Sequence, residues 1–200
     1  LQSFNAAVAP FRIPTLLVLS GLLLERSLSK GPRRYVVGKL RHIVWPYALW
    51  FVLIMGSIDS LVTLTNPTNW LAGGILWYLA VLIVCYAVAM LRPRWLPWEL
   101  FVLAPLVLLW ILEPESGVPQ RLLWFGAFFF LGAALKPHLD SLQRRLPGWG
   151  GALLGPVVVL GGVAAAERFV ISQRPAYFVV SVLGILFALW LAPRDRKSVV

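Results

Sequence analysis

The sequence predicts an all-α fold: a polytopic transmembrane helical bundle with about seven spans in 200 residues. Three observations predict it. Apolar residues make up 60% of the chain and charged residues only 13%, against roughly 25% charged in soluble domains. The apolar residues gather into runs close to the length of a bilayer crossing. The basic residues fall almost wholly on alternate connections between those runs.

The runs are Phe4–Leu24, Ile43–Leu64, Trp70–Leu91, Trp98–Leu112, Gln120–Leu135, Trp149–Ala166 and Ala176–Ala192. Turn chemistry separates them at Asn66-Pro67, Arg92-Pro93, Glu113-Pro114, Pro147-Gly148 and Arg174-Pro175. The fourth and fifth are short for a full span and read as the least tilted, or as starting outside these limits. No soluble domain, repeat or low-complexity tail interrupts the series, so residues 1–200 read as one integral membrane domain.

Charge fixes an orientation. With Arg26–His42 in the cytoplasm, alternation places Arg26, Lys30, Arg33, Arg34, Lys39 and Arg41 there, then Arg92 and Arg94. It adds Lys136, Arg144 and Arg145, and finally Arg194, Arg196 and Lys197. Only Arg121, Arg168 and Arg174 fall outside, with Arg12 in the membrane. That is the asymmetry of the positive-inside rule. Trp45, Trp70, Trp95, Trp98, Trp110, Trp124, Trp149 and Trp190 lie near segment ends, where amphipathic rings prefer the headgroup level; Trp50 and Trp77 sit further in.

A net charge of +10 excludes little by itself. Nucleic-acid binding needs a basic face on a soluble fold, and none is available. The single Cys85 lies within an apolar run, forms no intrachain disulfide and reads as a packing residue. The chain begins without Met and its first run starts almost at residue 1, so it reads as a fragment cut at the N-terminus. That run is no signal peptide, because it lacks a basic leader and carries Arg12. Asp195–Val200 resembles translated adapter sequence and reads as non-native.

Two places carry candidate chemistry. Arg12 sits in the first apolar run between Pro10 and Pro14. Pro14 cannot donate to the carbonyl of Pro10, so backbone polarity is exposed where the cation enters. An ionisable group inside a span is a functional candidate by default; the alternative is snorkelling to the outer headgroups. Ser20-Gly21 in the same run permits close helix approach. The second place is the basic stretch, where Lys39, Arg41 and His42 precede Trp45-Pro46-Tyr47. If it is helical, Lys39 and His42 share a face, and Pro46 leaves the His42 carbonyl free. Such a cluster at the cytoplasmic mouth of a bundle suits a polyphosphate, or anchors anionic lipid. His138 reads as a solvated loop residue, and Asp59, Glu99 and Glu167 lie close enough to span ends to reach water. No metal-ligand spacing, glycine-rich phosphate loop or Ser/His/Asp arrangement is present.

The order of these features resembles the acyltransferase-3 family of membrane O-acyltransferases. Phe11-Arg-Ile-Pro-Thr-Leu-Leu-Val-Leu-Ser-Gly-Leu-Leu is similar to that family's R-x-P-x-F-F-x-x-S-G-F-L segment. Tyr35-Val-Val-Gly-Lys39-Leu-Arg41-His42-Ile-Val-Trp-Pro46-Tyr47 is similar to its F-x-x-[RK]-R-x-x-R-[IL]-x-x-P-Y entry into the next span. Leu76-Trp-Tyr-Leu79 and Phe128-Phe-Phe-Leu-Gly132 resemble its later blocks. Thr15 and Leu16 replace the usual Phe pair, and Lys39 and His42 stand where the family has Arg, with Arg41 adjacent as a substitute.

The resemblance implies an enzyme in a bacterial inner (cytoplasmic) membrane. Its donor would be acyl-CoA, with acetyl-CoA foremost, and its acceptor a hydroxyl of a cell-envelope carbohydrate. Lys39, Arg41 and His42 would hold the CoA. Arg12 would serve catalysis by holding a pyrophosphate, a sugar or a developing oxyanion. The family's catalytic His belongs to a span upstream of the serine-glycine block. The implied partners are the lipid bilayer, the carbohydrate and acyl-CoA, with no metal and no nucleic acid. Two other readings stay open: a carrier or flippase for lipid-linked sugars, in which Arg12 binds without chemistry, and a non-catalytic membrane scaffold.

Overall fold

The computed structural model of the chain describes residues 13–58, 66–72, 76–112, 117–139, 141, 155–156, 160–161 and 176–191. Helices are the regular structure throughout these residues, and none of them forms a strand. The all-α expectation holds.

Helix α1 (Ile13–Leu22) passes through a turn at Leu23 into the short α2 (Leu24–Leu28). Gly31, at a φ of 89°, then reverses the chain, a conformation that costs glycine nothing. Pro32 opens α3 (Pro32–Lys39), where its missing N–H has no helical partner to lose. The helix does not stop at Lys39. It widens into a π-helical turn over Leu40–Val44, in which the Trp45 N–H bonds the Leu40 carbonyl, and continues as α4 (Trp45–Ile58). Pro46 explains the widening, since it cannot donate the bond that would close an ordinary turn on His42.

The third expected run is divided. Helix α5 (Pro67–Ala72) ends before Gly73-Gly74, two poor helix formers in succession, and α6 runs over Trp77–Leu91. Helix α7 (Trp98–Leu112) carries Pro105 in its interior, a disruption that membrane helices tolerate. Helix α8 (Val118–Leu135) continues through a 3₁₀ turn over Lys136–His138. It therefore begins earlier than the sequence suggests, because Pro119 sits in its first turn, where proline is at home. Together Val118–His138 is the one helix among the described residues long and apolar enough to cross a bilayer; α1, α6 and α7 are apolar but shorter. Helix α9 (Ala176–Leu191) covers the last expected run, while Trp149–Ala166 and the first half of Phe4–Leu24 lie largely outside the described residues.

The chain divides into two compact units, residues 1–16 with 135–200, and residues 17–134. In the second, α8 is central. Every residue from Trp124 to Phe130 is buried, as are Gly132 and Ala133. Trp77 meets Phe125 at 4.7 Å and Tyr86 meets Phe129 at 5.0 Å, so α6 and α8 run in the same direction. Tyr47 and Phe51 of α4 pack with Trp70, Leu76, Leu79, Ala80 and Ile83, while Tyr35 of α3 reaches Tyr86. That order makes α4 antiparallel to α6. The Tyr47 hydroxyl donates to the Trp70 carbonyl, which ties α5 to α4.

Outward faces are apolar too. Leu49, Trp50, Val52 and Leu53 of α4 and Leu103, Val107, Trp110 and Ile111 of α7 are exposed. Helices apolar on both faces suit lipid rather than water. Two of the tryptophans near segment ends pack inward: Trp98 and Trp124 are buried, Trp98 stacking on Phe130 at 6.0 Å and Trp124 meeting Phe128 at 5.5 Å.

Candidate functional site

Lys39, the last residue of α3, faces inward. Its Nζ lies 3.5 Å from the centroid of the Tyr86 ring and 5.6 Å from that of Tyr35. A cation over an aromatic face is held by the ring quadrupole. Burial pulls the lysine below its ordinary range, and the Lys30 charge adds to the effect. Among the described residues Lys39 makes no ion pair, so its charge is held but not neutralised.

The cage walls are themselves fixed. The Tyr35 hydroxyl donates to the Tyr86 carbonyl at 2.9 Å, and the two rings meet edge to face at 6.3 Å. Burial pushes the Tyr35 hydroxyl well above its ordinary range, with Tyr86 and Cys85 contributing less. Tyr86 also packs edge to face on Phe129 of α8, and its hydroxyl is hydrogen-bonded with the Ser20 side chain of α1. Ser20 bonds Tyr78, two turns back along α6, in the same way. Three helices, α1, α3 and α8, thus converge on one tyrosine of α6.

Arg41 and His42, in the widened turn, are exposed. The π geometry departs from the ordinary helical spacing that would give Lys39 and His42 one face. Lys39 is half-buried on α6 while His42 lies outside with Arg41. Arg12 falls outside the described residues. His138 is exposed, and its carbonyl accepts from Ser141 Oγ at 2.7 Å. No cluster of metal-ligating side chains occurs among the described residues.

A second cation on an aromatic face offers a contrast. Arg92 lies 3.7 Å from the centroid of Trp98 and donates to the Leu96 carbonyl. Burial lowers its pKa, while Glu25 and Glu99 act in the opposite sense. Arg92 feels the charge of two carboxylates; among the described residues Lys39 has none paired to it. Arg92 locks a loop, whereas Lys39 rests on an aromatic face.

Tyr86 was missed in the sequence, Tyr35 and Tyr78 entered only as members of family-like blocks, and Ser20 was singled out only as a small packing residue. The signal was present: two tyrosines eight apart on one apolar helix, each with a hydroxyl that needs a partner when buried.

Lys39 and Tyr35 belong to a stretch that resembles one family, and Ser20 belongs to the block before it. No curated protein and no solved structure matches the chain. The family model described as an acyltransferase domain, Acyl_transf_3, does match, over residues 1–199. The match takes in α1 to α9 and the whole Lys39 site, and the chain accordingly belongs to the acyltransferase-3 family of membrane acyltransferases.

Proposed function

We propose that this protein moves an acyl group, acetyl foremost, from acyl-CoA to a hydroxyl of a cell-envelope carbohydrate, within a bacterial inner membrane that its helices cross about seven times. The observation that carries the donor assignment is Lys39, a half-buried ammonium held on Tyr86 with no counter-ion among the described residues. CoA is a polyanion, and charge-assisted hydrogen bonds to its phosphates suit such a cation. Exposed Arg41 and His42 follow within one turn and supply further donors from the same end of α4. The antiparallel course of α4 and α6 supports placing the basic stretch and the Arg92–Trp98 loop on one side, the cytoplasmic side by their charge.

In the transfer the acceptor oxygen bonds the acyl carbon, the thioester C–S bond breaks, and the hydroxyl proton passes through a base to the departing thiolate, so that CoA leaves as the thiol. The family's His precedes the serine-glycine block, whereas both histidines of this chain, His42 and His138, follow it. Arg12, by its place in the outer part of the first run, would steady the oxyanion or an anionic acceptor. Equilibrium binding of radiolabelled acetyl-CoA to the native protein in nanodiscs, followed by transfer to envelope glycan, tests the reading. Saturable binding that Lys39→Met weakens supports it; binding indifferent to Lys39→Met overturns the donor assignment.

A further inference from the structure

Resting on the acyl-CoA reading, we propose that Tyr86 is the positioning residue of the donor site: its ring holds the Lys39 ammonium at the mouth of the bundle, and Ser20 and Tyr35 hold the ring. A π face supports a cation in a way that a carboxylate does not. An acidic partner would hold a lysine in place but cancel its charge and occupy its N–H donors. An aromatic face attracts the cation through its quadrupole and leaves the net charge intact. Lys39 at 3.5 Å from the Tyr86 centroid, with no carboxylate paired to it among the described residues, has that second kind of support.

The ring can serve only if it does not move. A tyrosine on a helix facing lipid would change rotamer freely, and the lysine would follow it. Tyr86 is instead restrained on every side that the structure shows. Phe129 meets its ring at 5.0 Å with the planes at 86°. Ser20 bonds the Tyr86 hydroxyl from α1, and the Tyr35 hydroxyl donates to the Tyr86 backbone carbonyl while the two rings meet edge to face. Each restraint comes from a different helix, so the lysine's place depends on the assembly of α1, α3, α6 and α8. Neither Ser20 nor Tyr86 needs to touch the donor; both act through Lys39.

The test is acetyl-CoA binding to the native protein in nanodiscs, read as dissociation constants for a small set of variants. Tyr86→Met fills the space without a π face; it is expected to weaken binding about tenfold, as loss of one well-placed cationic contact would. Tyr86→Phe and Tyr86→Trp keep a ring and are expected to restore binding to within about threefold, a rescue that a merely space-filling role would not show. In a Lys39→Met background, Tyr86→Met should cause no further loss. If Lys39→Met weakens binding and Tyr86→Met does not, the positioning role is overturned while the donor site stands. If Lys39→Met itself changes nothing, the donor assignment has failed instead. Should Tyr86→Met not accumulate in membranes, Ser20→Ala carries the test. It frees the ring without emptying the core and is expected to weaken binding about twofold to threefold; unchanged affinity would overturn the proposal.

Discussion

Gly21 of α1 and Gly132 of α8 each stand where the backbone of the other helix leaves no room for a side chain. A Cβ on Gly21 would overlap the Phe129 carbonyl oxygen and lie 3.1 Å from the Ala133 nitrogen; one on Gly132 would overlap the Val18 carbonyl oxygen and lie 3.0 Å from the Leu22 nitrogen. The obstacles are main-chain atoms, which cannot rotate away. Close backbone approach through small residues is how membrane helices gain packing where lipid supplies no hydrophobic drive.

Gly21→Ala and Gly132→Ala are therefore expected to separate α1 from α8, at a cost of about 1–3 kcal/mol or more. Thermal unfolding of the protein in detergent checks this. Gly38 offers the control, since nothing lies within 4 Å of a Cβ there, and Gly38→Ala should leave the midpoint where it is.

Orientation follows from charge. Arg26–His42 and Lys136–Arg145 are expected to face the cytoplasm, and Asn66–Asn69 and Glu115–Pro119 to face outward. Single cysteines in a Cys85→Ala background, labelled in intact cells with an impermeant reagent, should react at position 67 and not at position 30. The opposite pattern inverts the topology.

Neutralising Lys39 and Arg41 together should raise the acyl-CoA dissociation constant on the order of a hundredfold, at roughly 1.5–3 kcal/mol for each charge-assisted contact. Calorimetric titration with acetyl-CoA measures it. A plain lipid anchor would alter insertion and leave CoA affinity intact. Burial lowers the Lys39 pKa, so its charge is lost at a lower pH than that of an exposed lysine. Anion affinity should accordingly fall earlier as pH rises, and Lys39→Arg should extend binding to higher pH.

Arg12 separates two roles. A snorkelling arginine tolerates replacement by lysine, because both are long cations. One that holds an anion through its planar fork does not. Arg12→Lys is expected to insert and accumulate normally while losing about 10²–10³ in transfer. Membrane abundance and acylation of the native glycan, measured together, decide between them, and near-normal transfer would return Arg12 to an anchoring role.

How far the sequence reached depends on the kind of signal. Helix existence was legible, because runs such as Ala176–Ala192 and Trp98–Leu112 are apolar throughout, and the charges rank the connections. Ends were less legible. Pro119 reads as a stop but serves as a start, and Gly73-Gly74 lies inside a run that composition alone joins into one. The Lys39 site was visible only in its charges. What holds Lys39 comes from Tyr86, forty-seven positions further on, and a contact across that separation leaves no local pattern. The widened turn was foreshadowed by Pro46, whose missing donor frees a carbonyl, although a free carbonyl alone does not say that the helix will continue rather than end.

That turn has a consequence for what changes the chain tolerates. A π turn holds one residue more than an α turn over nearly the same rise. Leu40–Val44 therefore carries slack in units of whole residues. Removing one residue there lets the backbone relax toward ordinary helical pitch, with the cationic rod before it and the oily rod after it each keeping its own neighbours. The same excision in α6 would turn every following side chain by about 100°, taking Tyr86 off Phe129 and stranding Lys39. Among the described helices this turn is the permissive place for length variation, and it lies immediately beside Lys39.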